Sequence, residues 1–556
     1  MNVICAVVGP GSWLQGYDPA HRWWLSTIWA ALPLVVLLTA MGVLRIKAHL
    51  AALMALGTAL VVVTTLFHMP VKLAGLAAVY GAGYGLFPIF WIIFPVIFLY
   101  GLTVRAGRFQ LLQECLVNVT EDSRLQLLLI AFAIGAFFEG AAGFGTPVAV
   151  CSTILLGLGF RPLQAAGLAL LANTAPVAFG SLGIPVTALH GVTGLDTLLL
   201  TRVIAAMLVP FCLMIPFWVI WTFAGFKGML EVWPAALVAG GVFGGGQYFV
   251  ARVHGPWLVD LAASICCIAA LVGFLRVWKP KRILNAKCED VTAEARAGTA
   301  GQGRTVLRAG LPWAILVVCV TVWGTPQFGH WLDGFSAVRW AVGGLDKVVF
   351  RMPPAVPQPA AEGAVYGFNW LSATGTGILV AAVIAGLAMR LGVKDFGAAL
   401  WSTVKTTRFT VVTIAALMAL GFVSRFCGLD ATLGLAFART GVLYPFFGTL
   451  IGWLGTASTG SDTSSNVLFG SLQKLTAQQL GISPYVMASA NSGGGVMGKM
   501  VAPQSVVIAS TATGIYGKEG SILRYVFLHS LAMACLMGVV VAVVVYVPWV
   551  NRLVLR

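Results

Sequence analysis

Two acids in this chain sit where acids are expensive. Glu139 opens the stretch EGAAGFGTP and Asp462 lies within TGSDTSSN; both stretches interrupt long apolar runs. An ionisable group inside a membrane-spanning segment is costly, and is kept for a proton relay, an ion path or a substrate contact. A carboxyl group enclosed by apolar surroundings also titrates nearer neutrality than a solvated one, which suits proton carriage. The plainer alternative is that each acid caps a half-helix or pairs with a base. No other acid falls in a motif of this kind. Lys499 follows Gly498 in a further interrupted run. Its ammonium suits a substrate carboxylate, or Asp462 when no substrate is bound; the alternative is a long side chain reaching for the interface. Ser461, Thr463, Ser464, Ser465 and Asn466 form a hydroxyl and amide cluster, to which Asn173, Thr174, Asn491, Ser492 and Gln504 add. Such groups hydrogen-bond a small hydroxy acid. Equally, they cap helices and pack them together.

The elements that carry these residues follow from composition. Of 556 residues, 59% are hydrophobic and 9% charged. A soluble fold needs about 25% charged residues to cover its surface, so the chain reads as an all-α polytopic membrane protein. The 10 Cys lie mostly in apolar runs, and adjacent Cys266 and Cys267 have no metal-ligand spacing. The net charge of +16 comes from basic residues in short loops. That is how topology is set in a membrane, not a footprint for nucleic acid. Met1 to Gly16 shows no cleavable signal peptide. His68, His190, His254, His330 and His529 are scattered without metal-ligand spacing, and no Walker, GxSxG or HExxH motif appears. No cofactor is expected.

Apolar runs at 23–44, 49–67, 71–104, 198–223, 228–250, 256–278, 308–325, 371–389, 409–427 and 524–549 read as crossings, with 71–104 broken at Gly83, Gly85 and Pro88. The runs 125–158 and 442–475 are too long for one crossing and read as hairpins. The runs 162–195 and 484–516 read as broken helices. This gives about 12 transmembrane helices plus two hairpins. Arg45, Lys47, Arg105, Arg108, Arg161 and Lys227 fall inside by the positive-inside rule, as do the linker 279–307 and the basic residues Arg390, Lys394, Lys405 and Arg408. The linker holds Lys279, Lys281, Arg282, Lys287, Arg296 and Arg304. The Pro-rich segment 326–370, with balanced charges, falls outside. Arg552 and Arg556 then fit their outer end poorly.

The two halves match each other. In NTAPVAFGSLGIP (173–185) and NSGGGVMGKMVAP (491–503), Asn is followed by Gly at +7 and Pro at +12. Each motif follows a Gly-rich hairpin break, 33 residues after Gly140 and 31 after Gly460. By the loop charges the first hairpin opens inside and the second outside, so the repeats are inverted. Residues 1–227 form the first repeat, 228–278 two linking helices, and 308–556 the second repeat. Broken helices in inverted repeats mark secondary transporters, with the site near the midplane. Broken backbone is tolerated at that depth only inside protein or beside a cavity. Half-helix N-termini there present free N–H groups suited to a carboxylate.

At these motifs the sequence resembles the bacterial L-lactate permease family, which includes glycolate permeases. The resemblance rests on GAFFEGAAGFGTPVAV (135–150), ANTAPVAFGSLGIPV (172–186), GWLGTASTGSDTSSNVLFGSLQ (452–473) and ANSGGGVMGKMVAPQSVVIASTATG (490–514). It implies a multi-pass protein of the bacterial inner membrane that imports L-lactate, D-lactate and glycolate with protons and is no enzyme. A sodium-coupled carboxylate carrier uses the same hydroxyls and carbonyls. A membrane-embedded enzyme would need paired carboxylates for a metal, or a nucleophile with a base.

Overall fold

The computed structural model describes residues 12–40, 44, 46–108, 119–141, 143, 145–289, 303–323, 325–356, 358–515 and 518–555. Arg45, Arg296 and Arg556, used above to place loops, lie outside the described residues. So do residues 290–302 of the linker.

Strand β1 (Trp13–Leu14) precedes helices α1 (Trp23–Leu38), α2 (Ala48–Thr65), α3 (Val71–Tyr84) and α4 (Trp91–Arg105). A wide helical turn at Gly85–Phe90 joins α3 to α4, where Pro88 withholds a ladder donor. Hairpin one is α5 (Ser123–Ala141) with α6 (Thr146–Gly157), and the first broken helix is α7 (Pro162–Ala172) with α8 (Gly180–Thr193). Helices α9 (Thr197–Glu231), α10 (Trp233–Val253) and α11 (Val259–Val277) close this half. The second half begins with α12 (Gly303–Trp323) and α13 (Pro326–Ser336). Strands β2 (Ala337–Ala341), β3 (Val349–Arg351), β4 (Ala360–Ala361) and β5 (Val365–Asn369) follow, then α14 (Thr374–Ala388), α15 (Val393–Cys427) and α16 (Leu429–Ala438). Hairpin two is α17 (Tyr444–Thr459) with α18 (Asp462–Gln479). The second broken helix is α19 (Pro484–Gly498) with α20 (Pro503–Ala512), and α21 (Glu519–Tyr546) and α22 (Pro548–Leu555) end the chain.

Among the described residues six helices are long and apolar enough to cross a bilayer alone, or nine if each sharply bent pair is one span. The nine include α5 of hairpin one and the bent pair α16–α17 that carries an arm of hairpin two, so they do not add up to a dozen crossings beside the two hairpins. The loop reading also needs correction at Lys394, Lys405 and Arg408. These lie on the first half of α15, not in a loop. That stretch is helical because its inner face is small and self-satisfied. Ala399, Thr403 and Thr407 are buried, and the threonine hydroxyls donate to the carbonyls of Ala399 (2.9 Å) and Thr403 (2.8 Å). The segment 326–370 holds paired strands: β2 pairs with β5, and β3 with β1 and β4. Glu362 pins it to α15 by accepting from Arg351 and Arg425.

Helix α5 is apolar all round from Leu127 to Phe138, which suits an enclosed helix, and its span is fully buried. Cys151 of α6 folds back on it, its thiol donating to the Ile130 carbonyl at 3.1 Å. Arg124 anchors the entry of α5 and is completely buried. It pairs with Asp122 (2.8 Å) and Glu231 (2.6 Å) and donates to the carbonyls of Gly228 (3.1 Å) and Arg282 (2.7 Å). Removing one partner of a buried pair leaves a charge uncompensated, at about 3–5 kcal/mol. Arg124→Ala is therefore expected to lower the thermal midpoint of the detergent-solubilised protein markedly. A midpoint equal to that of the unsubstituted protein would show that the network contributes nothing.

Candidate functional site

Each half places its acid beside a glycine turn at a hairpin tip, Glu139 before the turn and Asp462 after it. In hairpin one, α5 ends at Ala141, just past Glu139, and the chain turns through Gly143 and Gly145, both at positive φ (+57° and +86°). In hairpin two the turn is Gly460 (φ +77°), and Asp462 begins α18. Ser461 caps that helix, its hydroxyl accepting from the Ser464 N–H at 3.3 Å. Each carboxylate is then met by a polar residue of its broken helix, Asn173 at the end of α7 and Ser492 within α19. Asn173 Nδ2 donates to Glu139 Oε2 at 2.9 Å. Ser492 Oγ donates to Asp462 Oδ2 at 2.6 Å, and Asn466 Nδ2 reaches the same oxygen at 3.3 Å. One member of each repeat pair, Asn173 of NT and Ser492 of NS, thus holds the acid of its own half.

Both hairpin tips converge on one cavity of about 270 Å³. Ligand pockets for drug-sized molecules run to roughly 300–1,000 Å³, so this one suits a small solute. Glu139, Asp462 and Lys499 line it together with Ser461, Thr463, Ser464 and Gln504. Hairpins that enter a bilayer from opposite faces would bring their tips together in this way. Lys499 lies in the single 3-10 turn Lys499–Val501 that joins α19 to α20. Its Nζ donates to the Gly460 carbonyl at 2.8 Å. Among the described residues it makes no ion pair with Asp462; the ammonium is held by backbone at the tip of hairpin two.

The remaining sequence candidates stand behind the wall. Ser465 Oγ donates to the Gly452 carbonyl (3.0 Å) and ties the arms of hairpin two together. Asn491 Nδ2 donates to Asn466 Oδ1 (3.0 Å) and accepts from Gln473 (3.3 Å). Asn466 also reaches across to the Pro185 carbonyl of α8 at 3.2 Å. Asn173, Thr174 and Ser492 are buried, and Ser492 acts on the cavity through Asp462. Two oxygens at this level, Asn173 Oδ1 and Asp462 Oδ1, are buried without a hydrogen-bond partner among the described residues, as is the Thr174 hydroxyl.

Sequence reading missed the opposite wall. Thr410 and Thr413 of α15 supply further hydroxyls, and Ile93, Ile184, Ile414 and Leu417 an apolar face. His49 of α2 stacks on Phe409 at 4.5 Å beside them. Ser181, in the left-handed stretch Ser181–Gly183 that bends the first broken helix, also lines the cavity. Only the Gly and Pro around Ser181 signalled that stretch; the α15 residues carry no local signature. The arrangement offers one ammonium and several hydroxyls for a small anion, beside two carboxyl groups.

A family model described as L-lactate permease matches residues 26–548 of the chain. An L-lactate permease of Escherichia coli K12 is 41% identical over 545 residues, 96% of this chain and 98% of that protein. A glycolate permease of the same strain is 40% identical, at 96% and 98% coverage. An L-lactate permease of Bacillus subtilis is 39% identical, at 95% and 97%. Among solved structures, Neisseria gonorrhoeae MtrF aligns with a TM-score of 0.42 and 13% identity over 82% of this chain and 81% of that one.

Proposed function

The chain belongs to the L-lactate permease family, as a multi-pass protein of the bacterial inner membrane, and we propose that it imports L-lactate, D-lactate and glycolate by proton symport. The observation that carries the reading is the meeting of Glu139, Asp462 and Lys499 in one small cavity at two hairpin tips.

The mechanism follows from charge. Lys499 and the N–H groups at the helix breaks bind the carboxylate of the hydroxy acid, and Thr463, Ser464 and Gln504 bind its hydroxyl. Loading an anion into a site with two acids and one ammonium adds net negative charge at low dielectric, which is costly. A proton on Glu139 or Asp462 cancels that charge, so the loaded carrier rearranges more easily than the carrier holding the anion alone. Asn173, Ser492 and Asn466 hold the carboxyl oxygens in place while their protonation changes. When the proton leaves, the site again repels the substrate, which favours release.

The test is uptake of labelled L-lactate into right-side-out vesicles or proteoliposomes under an inward proton gradient without sodium. Accumulation that a protonophore abolishes is expected, with competition by unlabelled glycolate and D-lactate. Uptake that appears only when sodium is added would overturn proton coupling and favour a cation held by the same hydroxyls and carbonyls. Uptake of neither acid under either ion would overturn the substrate assignment.

A further inference from the structure

A third acid lies behind hairpin one, outside both repeat motifs. Asp260, in the first turn of α11, is 1% exposed. Gln247 of α10 donates to its Oδ1 at 2.7 Å, and Gln247 in turn accepts from the Cys212 thiol of α9 at 3.1 Å. Oδ2 of Asp260 is buried and has no partner among the described residues. An acid in the first turn of a helix ordinarily serves the free N–H groups there. Asp260 does not: its bond comes from a neighbouring helix, and the end of α11 carries no side-chain cap. The loop before α11 is deep because it packs on the first broken helix, where a Cβ on Gly183 would lie 2.6 Å from Pro256.

Asp260 also touches the tip of hairpin one. Gly140 directly follows Glu139, and a Cβ there would lie 2.8 Å from Asp260 Cβ. The backbone of the tip therefore rests on this acid. Among the described residues the titratable groups beside it are Glu139 from hairpin one and Cys212 from α9, whereas the Cys267 thiol further along α11 is turned to the Ala239 carbonyl at 3.4 Å. His190, the sole titratable side chain of α8, is turned to the Leu195 carbonyl at 2.7 Å. Among the described residues no ion pair holds Asp260, and Lys499 acts on Glu139 and Asp462 instead. Three acids and one ammonium thus share the region, and all three cannot be charged together in a dry interior without a large cost.

We propose that Asp260 is a third proton-bearing carboxyl of the transport cycle, exchanging a proton with Glu139 across the tip of hairpin one. The proton leaves the Glu139 carboxyl oxygen and bonds to Asp260 Oδ2, and the negative charge passes to Glu139; no other bond changes. The unpartnered oxygen is the atom that receives it, and Gln247 holds the other in either state. This rests on the symport reading above. It adds that the proton has a resting place away from the cavity on its way between Glu139 and release.

The test compares Asp260→Asn with the unsubstituted protein in proteoliposomes, by counterflow exchange of labelled L-lactate and by gradient-driven accumulation across the neutral pH range. Asp260 does not line the cavity, so the counterflow KM is expected to hold within about twofold. Gradient-driven accumulation is expected to fall about tenfold for a one-unit gradient and to lose its pH dependence, with Asp260→Glu restoring it. Unchanged accumulation and pH profile in Asp260→Asn would overturn the proposal alone. If the unsubstituted protein shows no protonophore-sensitive accumulation, the symport reading falls and this one with it. Should Asp260→Asn fail to insert, Gln247→Met keeps the acid and removes its donor. A shifted pH midpoint at unchanged KM is then expected, and an unshifted midpoint would overturn the proposal.

Discussion

Replacing Lys499 by Ala is expected to weaken L-lactate binding by roughly 10- to 150-fold, because a hydrogen bond to a charged group contributes about 1.5–3 kcal/mol. Among the described residues Lys499 is the one Lys or Arg lining the cavity, and its ammonium donates to the Gly460 carbonyl. With three donors on Nζ, it can meet a carboxylate without releasing the hairpin tip. Lys499→Met is the sharper variant, since it keeps an unbranched stem and removes only the charge. Counterflow exchange, which needs no gradient, reads the effect as a raised KM. An unchanged KM in both variants would mean that the ammonium serves only to staple hairpin two, and would leave the carboxylate to the backbone N–H groups. Lys499→Arg is expected to recover part of the affinity, as a planar fork in place of a compact point charge does not fit the same pocket equally well.

Why Lys499 was legible and much of its surroundings was not has a physical reason. The hairpins and broken helices announce themselves because Gly, Pro and Asn interrupt long apolar runs, and an interruption at that depth must be enclosed by protein. Glu139, Asp462 and Lys499 stand out for the same reason: charge is rare in such runs. Within a break, however, sequence does not say which polar side chain faces the cavity and which faces the packing. Ser461 and Ser464 line the site, whereas Ser465, one residue on, turns back to the Gly452 carbonyl. That distinction comes from the 3.6-residue period acting from the start of α18. Thr410 and Thr413 had no chance of notice, because hydroxyls within a helix commonly bond its own carbonyls, as Thr413 does to Phe409 at 2.8 Å. Asp260 was passed over because it stands near the start of an apolar run, where an acid reads as a loop residue. Only the packing of Pro256 on Gly183 shows that the loop is sunk. Asp430, also buried with an unpartnered oxygen, escaped for the same reason at the start of α16.

The largest effect is expected where the driving force enters. Glu139→Gln and Asp462→Asn keep the shape of each side chain and an oxygen for Asn173 or Ser492 to donate to, but neither amide carries a transportable proton. For one proton per substrate, each unit of pH difference is worth about 1.36 kcal/mol, enough for about tenfold accumulation. The variant at the coupling acid is expected to lose that factor entirely and to equilibrate lactate at equal concentrations inside and out. Counterflow exchange should persist, since it needs the binding groups and the rearrangement but no net proton movement. Measuring both assays on both variants separates coupling from binding. Loss of accumulation in one variant alone assigns the proton to that hairpin. Loss in both makes the two carboxyls a single coupled system, in which protonation belongs to the pair and not to either residue. Full protonophore-sensitive accumulation in both would place the coupling proton elsewhere. Loss of exchange as well as accumulation would show that the carboxylates hold the tips together, as their bonds to Asn173 and Ser492 also allow.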